Sequence, residues 1–350
     1  MRLISLIVLF ILVGCKKDKP IEPVVESDLS NGIAVLCEGL FQQNNSSVSW
    51  VNLSNGAVTN SFFESRANRL LGDTGNDIQR YGGKVYIVVN VSSTIEVLDA
   101  NTFYPIKQIS MLNNGVGKQP RSITFANGKA FVTCYDGFLD VIDTSSLSVE
   151  QRIPVGLNPE SVAVANGKIY VSNSGGLNAP LMDSTVSVLD LNTYAELTRI
   201  TVGLNPGQLV VDNEGDIYSI IRGDFGAVSS SLTRIDTQID VVADQFSINA
   251  SSITKMNNKL LIGNYDFTTQ INSVLMFDAL SETIENSNYL NLSEITTLYG
   301  IQYNPVNDLI YTTDAMSFTN TGFLRVFSTS GNLIQSYHLG LNPVKVIFYD

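Results

Sequence analysis

The chain has 350 residues, with 21 basic and 33 acidic side chains and a formal net charge of −12 at pH 7. This acidic balance disfavours binding to nucleic acid or to an anionic membrane surface, because both need a positively charged protein surface. The sequence holds a single histidine, so a multi-histidine metal site is excluded. The length allows two domains, although a large all-β fold of this size often forms one.

Residues 1–14 are predicted to be a lipoprotein signal peptide. Arg2 precedes an apolar run at 3–13 that is too short to cross a hydrocarbon core of about 30 Å as a helix. The run ends in Leu12-Val-Gly-Cys15, which resembles the lipobox of bacterial lipoproteins, where the cysteine is diacylated. The resemblance implies that Cys15 carries a stable lipid anchor. An ordinary signal peptide with an incidental cysteine is the alternative.

Residues 15–31 are predicted to be the lipidated cysteine and a flexible tether, because this stretch is charged, contains Pro20 and Pro23, and shows no apolar period. The remaining residues, 32–350, contain the fold. Cys37 and Cys134 lie in apolar strand patterns of non-adjacent repeats, so we expect two buried free thiols.

An internal repeat determines the predicted fold. Three segments, 155–164, 202–211 and 339–348, share the pattern GLNPxxxxx with apolar residues at alternating positions. A second pattern ends in an aspartate at intervals of 44, 47, 46 and 42 residues, at Asp99, Asp143, Asp190, Asp236 and Asp278. A period near 45 with four short strands per repeat is typical of a β-propeller blade.

The two ends of the chain complement each other. Six complete repeats begin near residues 74, 120, 159, 207, 251 and 296, and one innermost strand, 343–350, remains at the C-terminus. The outer three strands of a blade remain at the N-terminus, at 33–39, 47–53 and 57–63. We therefore predict an all-β, seven-bladed propeller that is closed when the C-terminal strand pairs with the N-terminal three strands.

Two repeated features are predicted to be turns. The aspartates precede pairs such as Ala-Asn and Leu-Asn, and an aspartate there forms a turn by accepting hydrogen bonds from its own backbone. Asn127-Gly128 and Asn166-Gly167 are hairpin turns of the Asn-Gly type.

The repeat resembles the YncE-like, or YVTN-repeat, propellers over residues 33–350. Segments 35–52 and 71–90 also resemble a Bacteroidetes lipoprotein family whose propeller captures cobalamin and passes it to a TonB-dependent outer-membrane transporter. The resemblance implies a corrinoid ligand and that transporter as partner. The single histidine and the two cysteines expected to be buried favour a binding protein without enzyme activity or cofactor. A lipid on Cys15 would anchor the protein to the outer membrane, where we expect it to face the medium; an orientation towards the periplasm is the alternative. The family pattern carries Asn before Glu-Gly, where this chain has Cys37.

The connections between the second and third strands of a blade, and between consecutive blades, are long and irregular, so they are predicted to share one face of the propeller. They are 38–46, 64–73, 111–119, 174–184, 222–231, 264–273, 291–297 and 314–321. Variable loops on a rigid scaffold collect binding residues. The candidate ligand-binding residues there are Phe41, Gln42, Asn44, Arg66, Arg69, Tyr135, Met182, Arg222, Phe225, Tyr265, Phe267 and Phe318.

Two other functions stay open. A protein-interaction scaffold of the cell envelope needs no small ligand, and a flat loop face would favour it over a depression. A metal-dependent lyase or hydrolase would use a carboxylate pair such as Glu38 with Asp73, or an oxygen cluster such as Asn264 with Asp266. For each of these carboxylates, ordinary turn chemistry is the simpler interpretation.

Overall fold

The computed structural model describes residues 29–350; the predicted signal peptide, Cys15 and most of the predicted tether lie outside this range. The described residues form seven four-stranded antiparallel sheets around a central channel, which confirms the predicted seven-bladed propeller. No helix in this part of the chain has both the length and the apolar character needed to cross a membrane.

The strands are numbered in chain order, and the strands of each blade are called A to D from the channel outwards. The first segment holds β1 (Gly32–Cys37), β2 (Ser47–Asn52), β3 (Val58–Thr59), α1 (Phe62–Ala67), β4 (Gly75–Tyr81), β5 (Lys84–Val89), β6 (Thr94–Asp99), β7 (Pro105–Ser110), β8 (Leu112–Asn113) and β9 (Val116–Gly117). Then come β10 (Pro120–Ala126), β11 (Lys129–Cys134), β12 (Phe138–Asp143), β13 (Ser148–Pro154), β14 (Pro159–Ala165), β15 (Lys168–Asn173), β16 (Thr185–Asp190) and β17 (Glu196–Thr201). The last strands are β18 (Pro206–Val211), β19 (Ile217–Ile221), β20 (Ser231–Asp236), β21 (Val241–Phe246), β22 (Ser252–Met256), β23 (Lys259–Asp266), β24 (Ile271–Asp278), β25 (Thr283–Asn286), β26 (Leu298–Asn304), β27 (Leu309–Asp314), β28 (Thr321–Ser328), β29 (Leu333–Leu341) and β30 (Pro343–Tyr349).

Blade 1 closes the propeller. Its sheet has the order β3-β2-β1-β30, so the C-terminal strand is strand A and the N-terminal strands are B, C and D, as predicted. The register pairs Gly32 with Tyr349 and Leu36 with Lys345, with an irregularity after Leu36. Blades 2 to 7 each use four consecutive strands, starting at β4, β10, β14, β18, β22 and β26.

The apolar cores lie between adjacent blades. B strands such as β5 and β15 and C strands such as β6 and β16 are mostly buried, whereas D strands such as β7 and β17 are mostly exposed. A strand that has a neighbouring blade on each face reads as an apolar run. This packing explains why the inner strands carry the clearest sequence signal.

Residues 57–63 differ from the prediction of a full outer strand. Only Val58–Thr59 pairs with β2, and the chain then forms the short helix α1. Phe62 stacks on Trp50 at 5.4 Å between ring centroids and contacts Phe103 of the next blade at 5.2 Å. The helix α1 buries both Phe62 and Phe63, which an exposed D strand cannot do because its side chains alternate between faces.

The turn and cysteine predictions are confirmed. The Asp99 carboxylate accepts backbone hydrogen bonds from Asn101 at 3.0 Å and Thr102 at 2.9 Å. Asn127 and Gly128 both have positive φ angles, 50° and 75°, as the Asn-Gly hairpin requires. Cys37 and Cys134 are buried free thiols, and burial raises the pKa of Cys37 to about 11.

Glutamine side chains join neighbouring blades around the channel. Gln302 of blade 7 donates to the Val346 carbonyl at 3.0 Å and accepts from the Val346 N–H at 2.6 Å, which holds the closing strand. Gln208 of blade 5 makes the same pair of bonds with Ile253 of blade 6, at 2.9 and 3.2 Å. The A strands are therefore fixed to one another by backbone-directed bonds, so they form a rigid frame for the channel.

Candidate functional site

The central channel contains a polar cavity of about 310 Å³. Strand A of blades 2 to 7 begins directly after a connection between blades, so its first residues lie at the loop-bearing end of the channel. We call that end of the propeller the loop face. The channel mouth is the group of polar side chains that meet there: Glu38, Arg121, Tyr135, Glu160, Arg222 and Tyr299.

Glu160 is the centre of the channel mouth. Its Oε1 accepts from Arg121 Nη2 at 2.8 Å and from Arg222 Nη2 at 3.1 Å, and its Oε2 accepts from the Tyr135 hydroxyl. Burial acts to raise the pKa of Glu160, but the charges of Arg121 and Arg222 outweigh it and hold that pKa well below its ordinary value. Glu160 is therefore a permanently charged, fully paired carboxylate.

The two arginines differ in how far they are engaged. Arg121 also donates to Asn76 Oδ1 at 2.7 Å and lies over the Tyr135 ring at 4.8 Å. Burial alone would lower the pKa of Arg121, but Glu160 raises it above its ordinary value, so its charge is permanent too. The side chain of Arg222 is 33% exposed and its bond to Glu160 is its one side-chain hydrogen bond within the described residues.

A second carboxyl group, that of Glu38, links blades 1 and 7 where the propeller closes. The Tyr299 hydroxyl, on strand A of blade 7, donates to Glu38 Oε2 at the end of strand B of blade 1. Burial raises the pKa of Glu38 above its ordinary value and raises that of Tyr299 well above its own. The Tyr299 hydroxyl therefore remains a protonated donor at neutral pH.

Charges deeper in the channel compensate each other. Lys345 of strand β30 lies 2.5 Å from Asp77 of β4, and the other Asp77 oxygen accepts from the Ile123 N–H at 3.0 Å. Asp77 thus joins three consecutive blades. These contacts fix the frame and leave the mouth as the place where charged side chains face the loops.

A row of aromatic rings leads from the loops to the channel mouth. Tyr265 contacts Phe267 edge-on at 4.9 Å between ring centroids, and Phe267 stacks on Phe318 at 6.0 Å with an interplanar angle of 17°. Phe318 then contacts Tyr299 edge-on at 5.6 Å. We call these four residues the aromatic ladder. Phe267 is 73% exposed, so the outer part of the ladder is an open apolar surface.

Five of the predicted binding residues come together. Tyr135 and Arg222 belong to the channel mouth, and Tyr265, Phe267 and Phe318 belong to the aromatic ladder. Tyr299 links the two groups, because its hydroxyl lies in the mouth and its ring ends the ladder. The loops of blades 3, 5, 6 and 7 thus contribute to one continuous site.

The loop at 38–46 lies close to the mouth through Glu38, but its other predicted residues have a structural part. The Gln42 and Asn44 N–H groups donate to the two Asp73 oxygens, at 3.1 and 3.0 Å. The side chains of both residues are exposed, as is Phe41. Phe225 is exposed at a positive φ of 58°, and Met182 is half-buried in its own loop.

Arg66 and Arg69 are not brought to this site. Arg66, on α1, lies over the Phe62 and Tyr104 rings at 5.1 and 5.2 Å. Arg69 forms a two-point ion pair with the buried Glu96 of strand β6, at 2.9 and 2.6 Å. Both arginines therefore join blade 1 to the outer part of blade 2.

Sequence reasoning missed Tyr299, the second residue of strand A in blade 7, and three residues that follow the repeated proline. Arg121, Glu160 and Gly207 each follow the proline of the repeated pattern, at the second residue of strand A. The proline is repeated while the next residue varies from blade to blade. The second residue of strand A faces the channel. Its variation after a repeated proline was therefore the sequence feature that could have indicated channel-lining residues.

Three residues with side chains that could serve in catalysis, Asp73, Asp266 and His338, make hydrogen bonds within the propeller. Among the described residues no group of three or more His, Cys, Asp or Glu side chains is arranged to hold a metal ion. Asp73 accepts backbone hydrogen bonds from Gln42 and Asn44 of the 38–46 loop, and Asp266 accepts them from Thr268 and Thr269 within its own turn. His338 is exposed on the outer strand β29 and its Nε2 lies 2.7 Å from the Thr321 hydroxyl.

The fold and site define a seven-bladed propeller whose loop face carries a polar mouth and an adjoining aromatic surface. The chain belongs to the family described as a domain of unknown function, DUF5074, whose model matches residues 31–348. No curated protein matches the sequence.

Solved structures share the fold at low identity. A quinonprotein alcohol dehydrogenase-like protein from Bacteroides thetaiotaomicron is 17% identical, with a TM-score of 0.67 over 93% of this chain and 80% of that one. A functionally unknown protein from Desulfotomaculum acetoxidans is 12% identical, with a TM-score of 0.66 over 91% and 98%. Hydrazine synthase from Kuenenia stuttgartiensis is 14% identical, with a TM-score of 0.61 over 75% and 85%. These similarities concern the fold alone.

Proposed function

We propose that the loop face binds a large, flat ligand fringed with amide groups, of the corrinoid class, and that the protein is a binding protein and not an enzyme. The observation that carries the proposal is the aromatic ladder, which runs without a break into the channel mouth. Aromatic side chains supply contact area for a planar ligand at a small entropy cost.

The size of the cavity indicates how such a ligand would lie. At about 310 Å³ the channel cavity is at the small end of ligand pockets and is too small for a corrin ring with its substituents. The macrocycle would therefore lie on Phe267 and Phe318, with a single substituent directed into the mouth. Exposed amides such as those of Gln42 and Asn44 are available for its carboxamide arms.

The proposal also covers the cellular location of the protein and its partner. A lipid on Cys15 would hold the propeller on the outer membrane, facing the medium, and the bound corrinoid would pass to a TonB-dependent transporter. The same loop face would then have to meet the transporter for the ligand to be transferred.

Co-migration of ligand and protein tests the binding proposal. All seven sheets lie within the described residues, so the chain from Ser27 onward contains the complete propeller. This protein is mixed with cyanocobalamin and passed through a sizing column while the visible absorbance is followed. We expect the colour to elute with the protein. Elution of all the colour as free ligand would contradict corrinoid binding.

A protein-interaction scaffold is the second candidate, and a specific observation favours it. Leu177 and Leu181, on the 174–184 loop of blade 4, are 66% and 78% exposed, whereas the aromatic ladder lies on blades 6 and 7. Large exposed apolar side chains on one face are typical of protein contact sites. Retention of an envelope protein by the wild type but not by L177A/L181A, without any corrinoid, would support this candidate.

A further inference from the structure

The channel mouth contains two guanidinium groups that pair with one fully charged carboxylate. Arg121, from strand A of blade 3, and Arg222, from the loop after strand B of blade 5, both reach the same Glu160 oxygen. Glu38 is the other carboxyl group at the mouth, and its burial disfavours the charged form. In a chain with a net charge of −12, this is a local concentration of positive charge.

Arg222 is the exchangeable partner in this arrangement. Glu160 keeps a bond to Arg121 at 2.8 Å and a bond from the Tyr135 hydroxyl when Arg222 turns away. No buried charge is then left without a partner, which is the expensive outcome when an ion pair opens. Arg222 reaches Glu160 with Nη2 alone, so Nε and Nη1 are available to a second anion.

A glycine makes room for Arg222 at the mouth. A Cβ atom on Gly207 would lie 2.9 Å from the Arg222 Cζ and 3.0 Å from its Nε. The equivalent residue after the repeated proline is Glu160 in blade 4 and Val344 in blade 1. The absence of a side chain at 207 therefore lets the guanidinium lie across the channel, where its fork can meet a planar or tetrahedral anion.

We propose that the channel mouth is an anion subsite in which Arg222 receives one phosphate or carboxylate group of the ligand. This inference deepens the proposed function: the planar part of the same ligand lies on the aromatic ladder, and a single anionic group enters the mouth. For a corrinoid that carries a nucleotide loop, the phosphodiester of that loop is the anionic group.

Two corrinoids that differ in this group test the subsite. Cyanocobalamin contains the phosphodiester, whereas cobinamide lacks the nucleotide loop and its phosphate. We expect R222Q to weaken cyanocobalamin binding about tenfold or more, because a charge-assisted bond to phosphate is lost. Cobinamide binding should change less than about twofold, and R222K should recover part of the loss. An equal loss for both corrinoids, or for neither, would overturn the subsite.

R199Q is the matched control. Arg199 is half-exposed on the outer strand β17, where it pairs with Glu196 at 2.7 Å, remote from the channel. This variant should bind both corrinoids as the wild type does. Thermal unfolding without ligand shows whether R222Q retains the fold.

Inorganic phosphate separates the subsite from the corrinoid proposal. It is titrated at constant ionic strength while the midpoint of thermal unfolding is followed, since a ligand of the folded state raises the midpoint. We expect the midpoint to rise for the wild type and R199Q, but not for R222Q. If phosphate has this effect while no corrinoid binds, the proposed function fails and the subsite stands. If phosphate stabilises R222Q as much as the wild type, the subsite is refuted whatever the corrinoids do.

Discussion

The channel mouth and the aromatic ladder lie side by side on the loop face, yet they are built in opposite ways. In the mouth, Glu160 is satisfied by three donors from three different residues, and the group is largely withdrawn from solvent. In the ladder, Phe267 is mostly exposed and contacts only other rings of the same group among the aromatic contacts of the described residues.

This difference separates stability from affinity. Removing one partner of a buried, fully paired charge lowers the free energy of unfolding, whether or not a ligand is present. An exposed ring contributes little to folding but offers apolar area that a ligand covers. Changes at Glu160, the buried centre of the mouth, should therefore alter stability, and changes on the outer ladder should alter binding.

Glu160→Gln should have the largest effect. Removing this charge leaves two arginines at the mouth without their carboxylate, so we expect the free energy of unfolding to fall by about 3 kcal/mol. Urea unfolding followed by circular dichroism measures it. Glu196→Gln is the control, because its exposed pair with Arg199 should be worth less than about 1 kcal/mol. Equal effects of the two changes would contradict the account of the mouth.

The effect of E160Q on the free energy of unfolding should depend on pH. Folding lowers the pKa of Glu160 below the ordinary value of 4.5, so its contribution is fully present above about pH 4.5. It is lost as the pH falls further, towards the lowered pKa of the folded state. The stability difference between wild type and E160Q should hence be constant near neutral pH and shrink below about pH 4.5. A difference that grows in acid would refute the assignment.

Phe267→Ala and Phe318→Ala should each weaken cyanocobalamin binding about tenfold, because a covered aromatic anchor is worth on the order of 1–2 kcal/mol. Stability should hardly change for Phe267, which is exposed. Titration calorimetry measures the affinity. Val306→Ala is the matched control, since Val306 is 71% exposed but lies on a turn at the opposite face. Loss of affinity in V306A as well would contradict the proposal that the aromatic ladder contacts the corrinoid.

Tyr299→Phe tests the residue that belongs to both groups. The change removes the hydroxyl that donates to Glu38 but keeps the ring beside Phe318. We expect a loss of about 1 kcal/mol in unfolding free energy, because a buried carboxyl group loses its donor, and no more than a twofold change in corrinoid affinity. Unchanged stability combined with a large loss of affinity would show that the hydroxyl contacts ligand instead.

Gly207→Ala should have the smallest effect. The new methyl group would meet the flexible end of Arg222, which moves at little cost to the fold. We expect cyanocobalamin affinity to fall about threefold, or about 0.7 kcal/mol, with thermal stability preserved. Gly83→Ala is the control, since a Cβ there meets open space. A large drop in stability for G207A would indicate that the backbone, and not Arg222, limits this position.

The sequence predicted the scaffold well because the scaffold repeats. The GLNP segments, the spaced aspartates and the complementary chain ends define seven blades and their closure, and the structure confirms each of them. The exception is residues 57–63, where Phe62 pairs with Trp50 and Phe103. The partner Phe103 is distant in sequence, so no local sequence pattern predicted the helix α1.

The site was predicted only in part because its contacts are long-range. Tyr265, Phe267 and Phe318 were chosen as loop aromatics, and the fold stacks them. Arg69 was chosen for the same reason, yet it pairs with Glu96, 27 residues away on the next blade. Which partner a loop side chain meets depends on loop conformation, and neither composition nor period encodes that.

Locating the corrinoid directly gives the most decisive test. Crystals of the protein grown with cyanocobalamin contain cobalt, whose anomalous scattering marks the position of the ligand without any assumption about its pose. The account predicts cobalt on the loop face, with the macrocycle against Phe267 and Phe318 and the phosphodiester within hydrogen-bond distance of Arg222. Cobalt on the opposite face, at the turns that include Val306, would contradict it.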